Sequence, residues 1–263
     1  MNEDLLSLVS DIVDKARRQG ADEVDAYVLS STESSVQVRM GAVERVIDAG
    51  SHAVGIRVIK DKRSALCSTA DLTPQALEQM VRDAVELATI SEPDQYAGLP
   101  DRGDLFSGSQ PNLQLYDERI DTLSTDEMRD IALRCEQAAF DYDKRVTNSD
   151  GANMGVVRAH VALANSLGFG GSYMGTHASL AVEAICDDAE GKKRNDYWYT
   201  AERALHRLED AADVGRKAAQ RAVAKIGARK IGTTIVPVVW EAPVAHDLLR
   251  ILGSAASGEA LYR

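Results

Sequence analysis

Only three cysteines, Cys67, Cys135 and Cys186, occur in the 263 residues. Their odd number, wide spacing and lack of a C-x-x-C pattern argue against a disulfide framework or a redox dithiol. Each sits in an apolar pattern and reads as a small core residue rather than a reactive thiol. A reducing, cytoplasmic setting fits that usage. Long apolar runs are missing too: none approaches the ~20 residues that span a bilayer. The first residues, MNEDLLSLVSDIVDKARRQG, are acidic at the start and amphipathic, unlike a signal or transit peptide. Positive charge is scarce, with 30 Lys and Arg against 41 Asp and Glu and a net charge of −11. Phosphate neutralisation needs a basic face, so this balance argues against direct nucleic-acid or anionic-membrane binding. It leaves room for a basic peptide or protein partner.

Familiar catalytic patterns are also missing. His52, His160, His177, His206 and His246 include no pair at helical i, i+3 or i+4 spacing, and no H-E-x-x-H occurs. Surface or singly bonded histidines are the simpler reading. The stretch GFGGSYMG, with Gly168, Gly170, Gly171 and Gly175, has Tyr173 in place of the third glycine of G-x-G-x-x-G and no following GK[ST], so it reads as a turning loop between strands. No G-x-S-x-G elbow surrounds Ser172 or Ser257. Asp187, Asp188 and Glu190 cluster ahead of Gly191 without the distal bidentate carboxylate of a calcium loop, and read as a solvated turn. Tyr197, Trp198 and Tyr199 are dense for a chain with 5% aromatics. They read as core, with a peptide groove as the competing reading. The residues themselves therefore nominate no catalytic and no metal-binding side chain, and leave substrate-binding residues unknown.

Alternation and helical spacing are plentiful. Leu5, Leu8, Val9, Ile12 and Ala16 predict a helix over Glu3 to Gln19, stopped by Gly20. Short strands follow at Val24 to Ser30, Ser34 to Met40 and Ala42 to Asp48, read as an antiparallel meander. Val54, Ile56 and Val58 alternate into a polar turn at Lys60 to Arg63, and a return strand through Leu66 ends at Ser68 and Thr69. Thr73 suits an N-cap and Pro74 the first helical position, ahead of Leu77, Met80, Val81, Ala84 and Ala88. Ser91 to Ser109 is rich in Gly and Pro and reads as a linker or a loop clasping the surface.

A second unit repeats the order. Ser124 and Glu127 form a capping-box pattern before Met128, Ile131, Ala132, Cys135, Ala138 and Ala139. Val146 to Tyr199 reads as strands, with Val157, Ala159, Val161 and Leu163 on one face of the best marked. A helix over Leu208 to Ile226 follows, with Gly227 as its stop. The expected fold class is α+β, an antiparallel sheet packed with helices. The helix–strands–helix order in halves 1–90 and 124–227, joined by 91–123, suggests a duplication. Thr234 to Trp240 reads as an apolar strand feeding a helix from Pro243, so residues 228–263 are expected to begin a further, truncated domain that follows an N-terminal domain of 1–227.

Several stretches together resemble the TldD/PmbA family, described as modulators of DNA gyrase and as metallopeptidases. They are GIRVIKDKRSALCSTADLTPQALEQMVRDAV, YAGLP at Tyr96–Pro100, TNSDGA at Thr147–Ala152, ANSLGF at Ala164–Phe169, DYWY at Asp196–Tyr199 and VGRKAAQRAVAKIGARKI at Val214–Ile231. No single stretch is diagnostic, but they lie in order along nearly the whole chain. DYWY and IGARKI look more like the PmbA (TldE) branch. The resemblance implies an N-terminal α+β domain and a C-terminal β-rich domain that begins in 228–263, with two subunits enclosing a chamber. In the TldD branch a zinc-binding His-Glu-x-x-x-His helix follows the strand corresponding to Thr234–Trp240. Here that place reads LLRILGSAASG, with Arg250 and Ile251 at the first His and the Glu, and Ser254 near the second His. Zinc needs imidazole or anionic ligands and its water needs a base; these residues supply neither. The resemblance thus implies a non-catalytic PmbA-type subunit that completes the chamber and holds unfolded peptide, with zinc in a TldD-type partner. The competing expectation is a protein-binding regulator of gyrase or of a toxin–antitoxin pair, acting without proteolysis.

Overall fold

Leu5, Val9, Ile12, Val13 and Ala16 recur at helical spacing and are the buried face of the first helix, α1 (Leu5–Arg18), which ends at Gly20 with φ +95°. The computed structural model describes residues 5–108 and 111–262. Glu3, Asp4, Ser109 and Arg263, which figure in the expected boundaries, lie outside the described residues.

Two long strands follow instead of a meander of short ones: β1 (Glu23–Arg39) and β2 (Ala42–Lys60). The expected breaks at 31–33 and 49–53 fall inside one continuous ladder, with Thr32 opposite Gly50. These positions are polar or small because they are partly or fully exposed to solvent, not because the chain turns there. The true turns are two residues long. Met40 (φ 53°) and Gly41 (φ 75°) join β1 to β2, and Asp61 (φ 49°) and Lys62 (φ 61°) join β2 to β3 (Arg63–Thr69). Positive φ at both central residues is the hairpin geometry that matches strand twist. The helix α2 (Pro74–Ile90) starts as expected, with the Thr73 side chain accepting from the Ala76 N–H.

The Gly- and Pro-rich stretch after α2 clasps the sheet rather than hanging free. Lys62 Nζ donates to the Ala97 carbonyl at 2.8 Å, Leu99 N–H donates to Glu23 at 2.7 Å, and Arg102 donates to the Leu167 carbonyl at 3.2 Å. A short helix, α3 (Glu118–Asp121), precedes α4 (Thr125–Tyr142), whose capping box is formed by Ser124 and Glu127. Then come β4 (Val146–Asn165), β5 (Gly170–Asp187), β6 (Lys193–Glu202) and α5 (Ala211–Ala224). α5 begins at Ala211 rather than Leu208 because the Asp210 side chain caps the Ala212 N–H.

The six strands form one antiparallel sheet in the order β3-β2-β1-β4-β5-β6. Each half contributes helix, three strands, helix, and the order is symmetric about the β1–β4 ladder. α1 and α2 cover one end of a single face, over Val24, Ala26, Val28, Val54, Ile56, Val58, Ala162 and Ala164. α4 and α5 cover the other end, over Val36, Val38, Met154, Val156, Leu180 and Val182. Val157, Ala159, Val161 and Leu163 share one face of β4, as expected. Ala152, Met154, Val156, Ala162 and Ala164 point to the helices, whereas Val157, Ala159 and Leu163 lie half-buried on the helix-free face. Between the helix pairs the covered face carries Arg158, which donates to the carbonyls of Asp121 and Ile120 and pairs with the Asp121 carboxylate at 3.1 Å.

α4 and α5 touch through small residues. A Cβ on Gly215 would lie 2.1 Å from the Cys135 carbonyl oxygen and 3.0 Å from the Ala139 nitrogen. Next to Cys135 on α4, buried Glu136 accepts the backbone N–H groups of Met40 (2.9 Å) and Gly41 (2.8 Å) and the Ser149 hydroxyl, which holds the β1–β2 turn to the helix.

Asp117 ties three segments together. Its carboxylate accepts the N–H groups of Leu205 (2.7 Å) and Arg119 (2.9 Å), and its own N–H donates to Thr176 Oγ1. The backbone donors of Leu205 and Arg119 lower its pKa. A carboxyl whose folded pKa lies below the unfolded value of about 3.9 contributes fully above about pH 4 and loses that contribution as pH falls through the folded value. Asp117→Asn should therefore lower stability at neutral pH and flatten the acid limb below about pH 4, read by urea unfolding across pH. An unchanged acid limb would refute this role.

Residues Ala228–Arg263 form a separate compact unit from Met1–Gly227. It holds α6 (Ala242–Ala255) and α7 (Gly258–Tyr262). The strand expected at Thr234 to Trp240 is not formed. Ile235, Val236, Val238 and Val239 are exposed, no ladder partner is present among the described residues, and Pro237 has no N–H to offer one.

Candidate functional site

The helix-free face of the sheet carries the best-formed recess. Tyr27 on β1, Val161 and Leu163 on β4, and Gly171 and Tyr173 on β5 point to this face by register: Tyr27 pairs with Leu163, and Leu163 with Gly171. Phe169, from the turn before β5, and Phe106, from the clasping loop, close the sides. The result is a pocket of about 580 Å³ with an apolar floor and aromatic walls, and no charged residue in its lining. A second recess of about 320 Å³ shares Phe106, Leu163 and Phe169 with it and carries Asp25 and Asp104. Asp25 is ion-paired with Arg57. Burial and the neighbouring Tyr173 phenol push the Tyr27 pKa up. Sequence reading missed this convergence. The available signal was scarcity, because the pocket uses two of only three phenylalanines in the chain.

The residues singled out in the sequence lie apart from one another. His52, His177, His206 and His246 are exposed and His160 is half-buried. His52 and His160 both align with Ser30, on neighbouring strands, in the uncovered gap between the helix pairs. Among the described residues no group of three His, Cys, Asp or Glu could hold a metal ion. Of the glycine stretch, Gly168 (φ +93°) makes the turn, but Gly170, Gly171 and Gly175 lie inside β5 rather than in a loop. The acidic turn is a hairpin tip held by ion pairs: Asp187 with Lys193, Asp188 with Arg194, and Glu190 with Lys192. Asp188 also receives the Gly227 N–H. The aromatic cluster splits between faces. Trp198 packs toward α5 beneath Lys217 and Arg221, whereas Tyr197 and Tyr199 are exposed and stacked at 6.3 Å on the helix-free side. Core burial therefore holds only for Trp198, and only in part. Cys135 and Cys186 are buried and Cys67 is half-buried; burial pushes the Cys135 thiol up to about 12.

On α6, Arg250 pairs with Asp247 at 3.4 Å, Ile251 has no donor atom, and the Ser254 hydroxyl donates back to the Arg250 carbonyl. A cation, an alkyl chain and a helix-bonded hydroxyl do not fit a zinc ion.

Two family models match in chain order. One is PmbA/TldA metallopeptidase domain 1, over residues 24–88, and the other is the PmbA/TldA metallopeptidase central domain, over 118–226. The chain belongs to the PmbA/TldD family. The boundary between the two matched regions coincides with the passage from β1–β3 and α2 to α3–α5 and β4–β6, so the family's two domains share one sheet here. The chain is 33% identical over 243 residues to the metalloprotease PmbA of Escherichia coli O157:H7, covering 92% of this chain and 53% of that protein. It is 31% identical over 261 residues to a metalloprotease PmbA homologue of Haemophilus influenzae, covering 99% of this chain and 57% of that one. The chain thus spans a little over half the length of these curated relatives. Among solved structures, a Bacteroides thetaiotaomicron protein described as a DNA gyrase modulator matches with a TM-score of 0.78 at 23% identity, over 86% of this chain and 51% of that one. TldE from Thermococcus kodakarensis matches with a TM-score of 0.66 at 20% identity, over 82% and 47%. These two likenesses establish the shared fold.

Proposed function

We propose that this PmbA/TldD-family chain is the PmbA-type, non-metal subunit of a two-component metallopeptidase that cleaves unfolded peptides in the cytoplasm. A TldD-type subunit supplies zinc, and this chain completes the chamber and holds substrate. The observation that carries the reading is the donor set on α6: Arg250, Ile251 and Ser254 stand where the resemblance places a zinc-binding helix, and they offer no ligand. The apolar recess on the helix-free sheet face supports the holding role, since unfolded chains expose the side chains that such a surface buries. The free thiols and the net charge of −11 support a reducing compartment without nucleic-acid or membrane binding.

The test is to purify the full-length protein alone and with a TldD-type subunit, then measure zinc and cleavage of a denatured polypeptide. Zinc is expected in the partner, with cleavage only when both are present. Stoichiometric zinc and full cleavage by this protein alone would overturn the assignment. An effect on gyrase with no partner present would favour the regulator reading instead.

A further inference from the structure

We propose that the pocket between Tyr27 and Tyr173 anchors one aromatic or branched aliphatic side chain of an extended peptide whose adjacent residue is basic. The proposal deepens the peptide-holding role above and rests on it. Tyr27 and Tyr173 stand on β1 and β5 with β4 between them, two residues out of register. Strand spacing puts their backbones about 12 Å apart, room for one side chain between two rings. Leu163 and Val161 form the floor. The floor is open at Gly171, where a Cβ would meet only the Phe169 ring, at 3.6 Å from Cζ and 4.0 Å from Cε1. That is ordinary contact, and its φ is not in the left-handed region, so neither sterics nor backbone conformation requires a glycine there. Its absent side chain instead leaves the cavity its depth.

The chemistry favours a side chain over a charged metabolite. The 580 Å³ pocket has no charged residue in its lining, whereas sites for small charged ligands place a charged or convergent polar set to fix them. A phenyl or branched alkyl group needs neither. The charge lies one step away, in the adjoining recess, whose lining includes Asp104 and an Asp25 already paired with Arg57. With a chain net charge of −11, a Lys or Arg beside the anchor residue is the complementary neighbour.

The test titrates the full chain with three capped peptides, Ac-Gly-Phe-Lys-Gly-NH2, Ac-Gly-Ala-Lys-Gly-NH2 and Ac-Gly-Phe-Glu-Gly-NH2, followed by peptide NMR line broadening. Burying a phenyl in place of a methyl should tighten binding about 10-fold or more, and the Glu peptide should bind more weakly than the Lys peptide. Gly171→Val, which fills the floor, and Tyr173→Ala, at a half-exposed wall, should each abolish the preference for Phe over Ala while keeping the wild-type melting temperature within a few degrees. Equal binding of the Phe and Ala peptides, no binding of any of the three, or full selectivity in both folded variants would overturn the proposal. The readout needs neither partner nor cleavage. Selective binding without cleavage in the presence of a TldD-type subunit would sink the subunit assignment and leave the pocket standing.

Discussion

Gly215→Ala is expected to destabilise the protein by about 2 kcal/mol. In an isolated helix the same change helps, by about 1 kcal/mol, because alanine has the higher helix propensity. Here the added methyl would sit 2.1 Å from the carbonyl oxygen of Cys135. That oxygen is backbone within α4, so it cannot swing aside as the end of a side chain does. The helices must separate instead, and Ala218, Ala219 and Ala222 on α5 lose contact with Ala132, Cys135 and Ala139. Overpacking of this kind costs roughly 1–3 kcal/mol and sometimes more, which outweighs the propensity gain. Urea unfolding is the measurement, with Gly50→Ala as the control. Gly50 has nothing within 4 Å of a built Cβ, and its φ is unconstrained by the left-handed region. A Gly215→Ala protein as stable as the parent would show that the helix contact is looser than the structure has it.

Glu136→Ala should cost about 3 kcal/mol or more. Glu136 is 1% exposed and spends its two carboxylate oxygens on Met40 N–H, Gly41 N–H and the Ser149 hydroxyl. Removing the carboxylate leaves three donors near a buried cavity with no acceptor, and each unmet buried group costs about 1–3 kcal/mol. Water reaching the exposed Met40–Gly41 turn offsets part of this. Glu136→Gln keeps the shape but turns an N–H group toward one of the donors, so its cost should be intermediate. Hydrogen exchange separates this from a general loss of packing. Protection should fall first at Met40 and Gly41, ahead of the amides at the α1–α2 end. Uniform loss across the sheet, with those two amides unaltered relative to the rest, would refute the pinning role.

Local chemistry made much of this fold legible. The Asp61–Lys62 hairpin, the Thr73 and Ser124 caps and the buried faces of α1, α2 and α5 all follow from short-range rules that the chain obeys. The strand lengths were not legible for a physical reason. Strands normally announce themselves by burying one face, and the middle of this sheet lies between two helix pairs with neither above it. There β1 runs from Ser30 to Ser35 without an apolar residue of its own, although its ladder is unbroken. The same gap marks β4. Its core face is interrupted by Arg158 and His160, whereas its helix-free face runs Val157, Ala159, Val161, Leu163 without a polar residue. The cleaner alternation belonged to the face with the pocket, not to the face with the core. The pocket itself was illegible because its walls come from β1, a loop near residue 106 and β5, far apart in sequence and joined only by register.

The β1–β4 ladder runs without a bulge from Asp25–Asn165 to Val38–Ala152, beneath one core at each end. In a sheet with one covered face, a slip of one residue turns every side chain over. Here a single slip would expel Val24, Ala26 and Val28 from beneath α1 and α2, and Val36 and Val38 from beneath α4 and α5, in the same move. Neither core can tolerate a misaligned ladder that the other has accepted. The two halves of the chain therefore proofread each other's pairing, and a long, polar-centred strand that would be prone to sliding on its own is held in one alignment by errors being penalised twice.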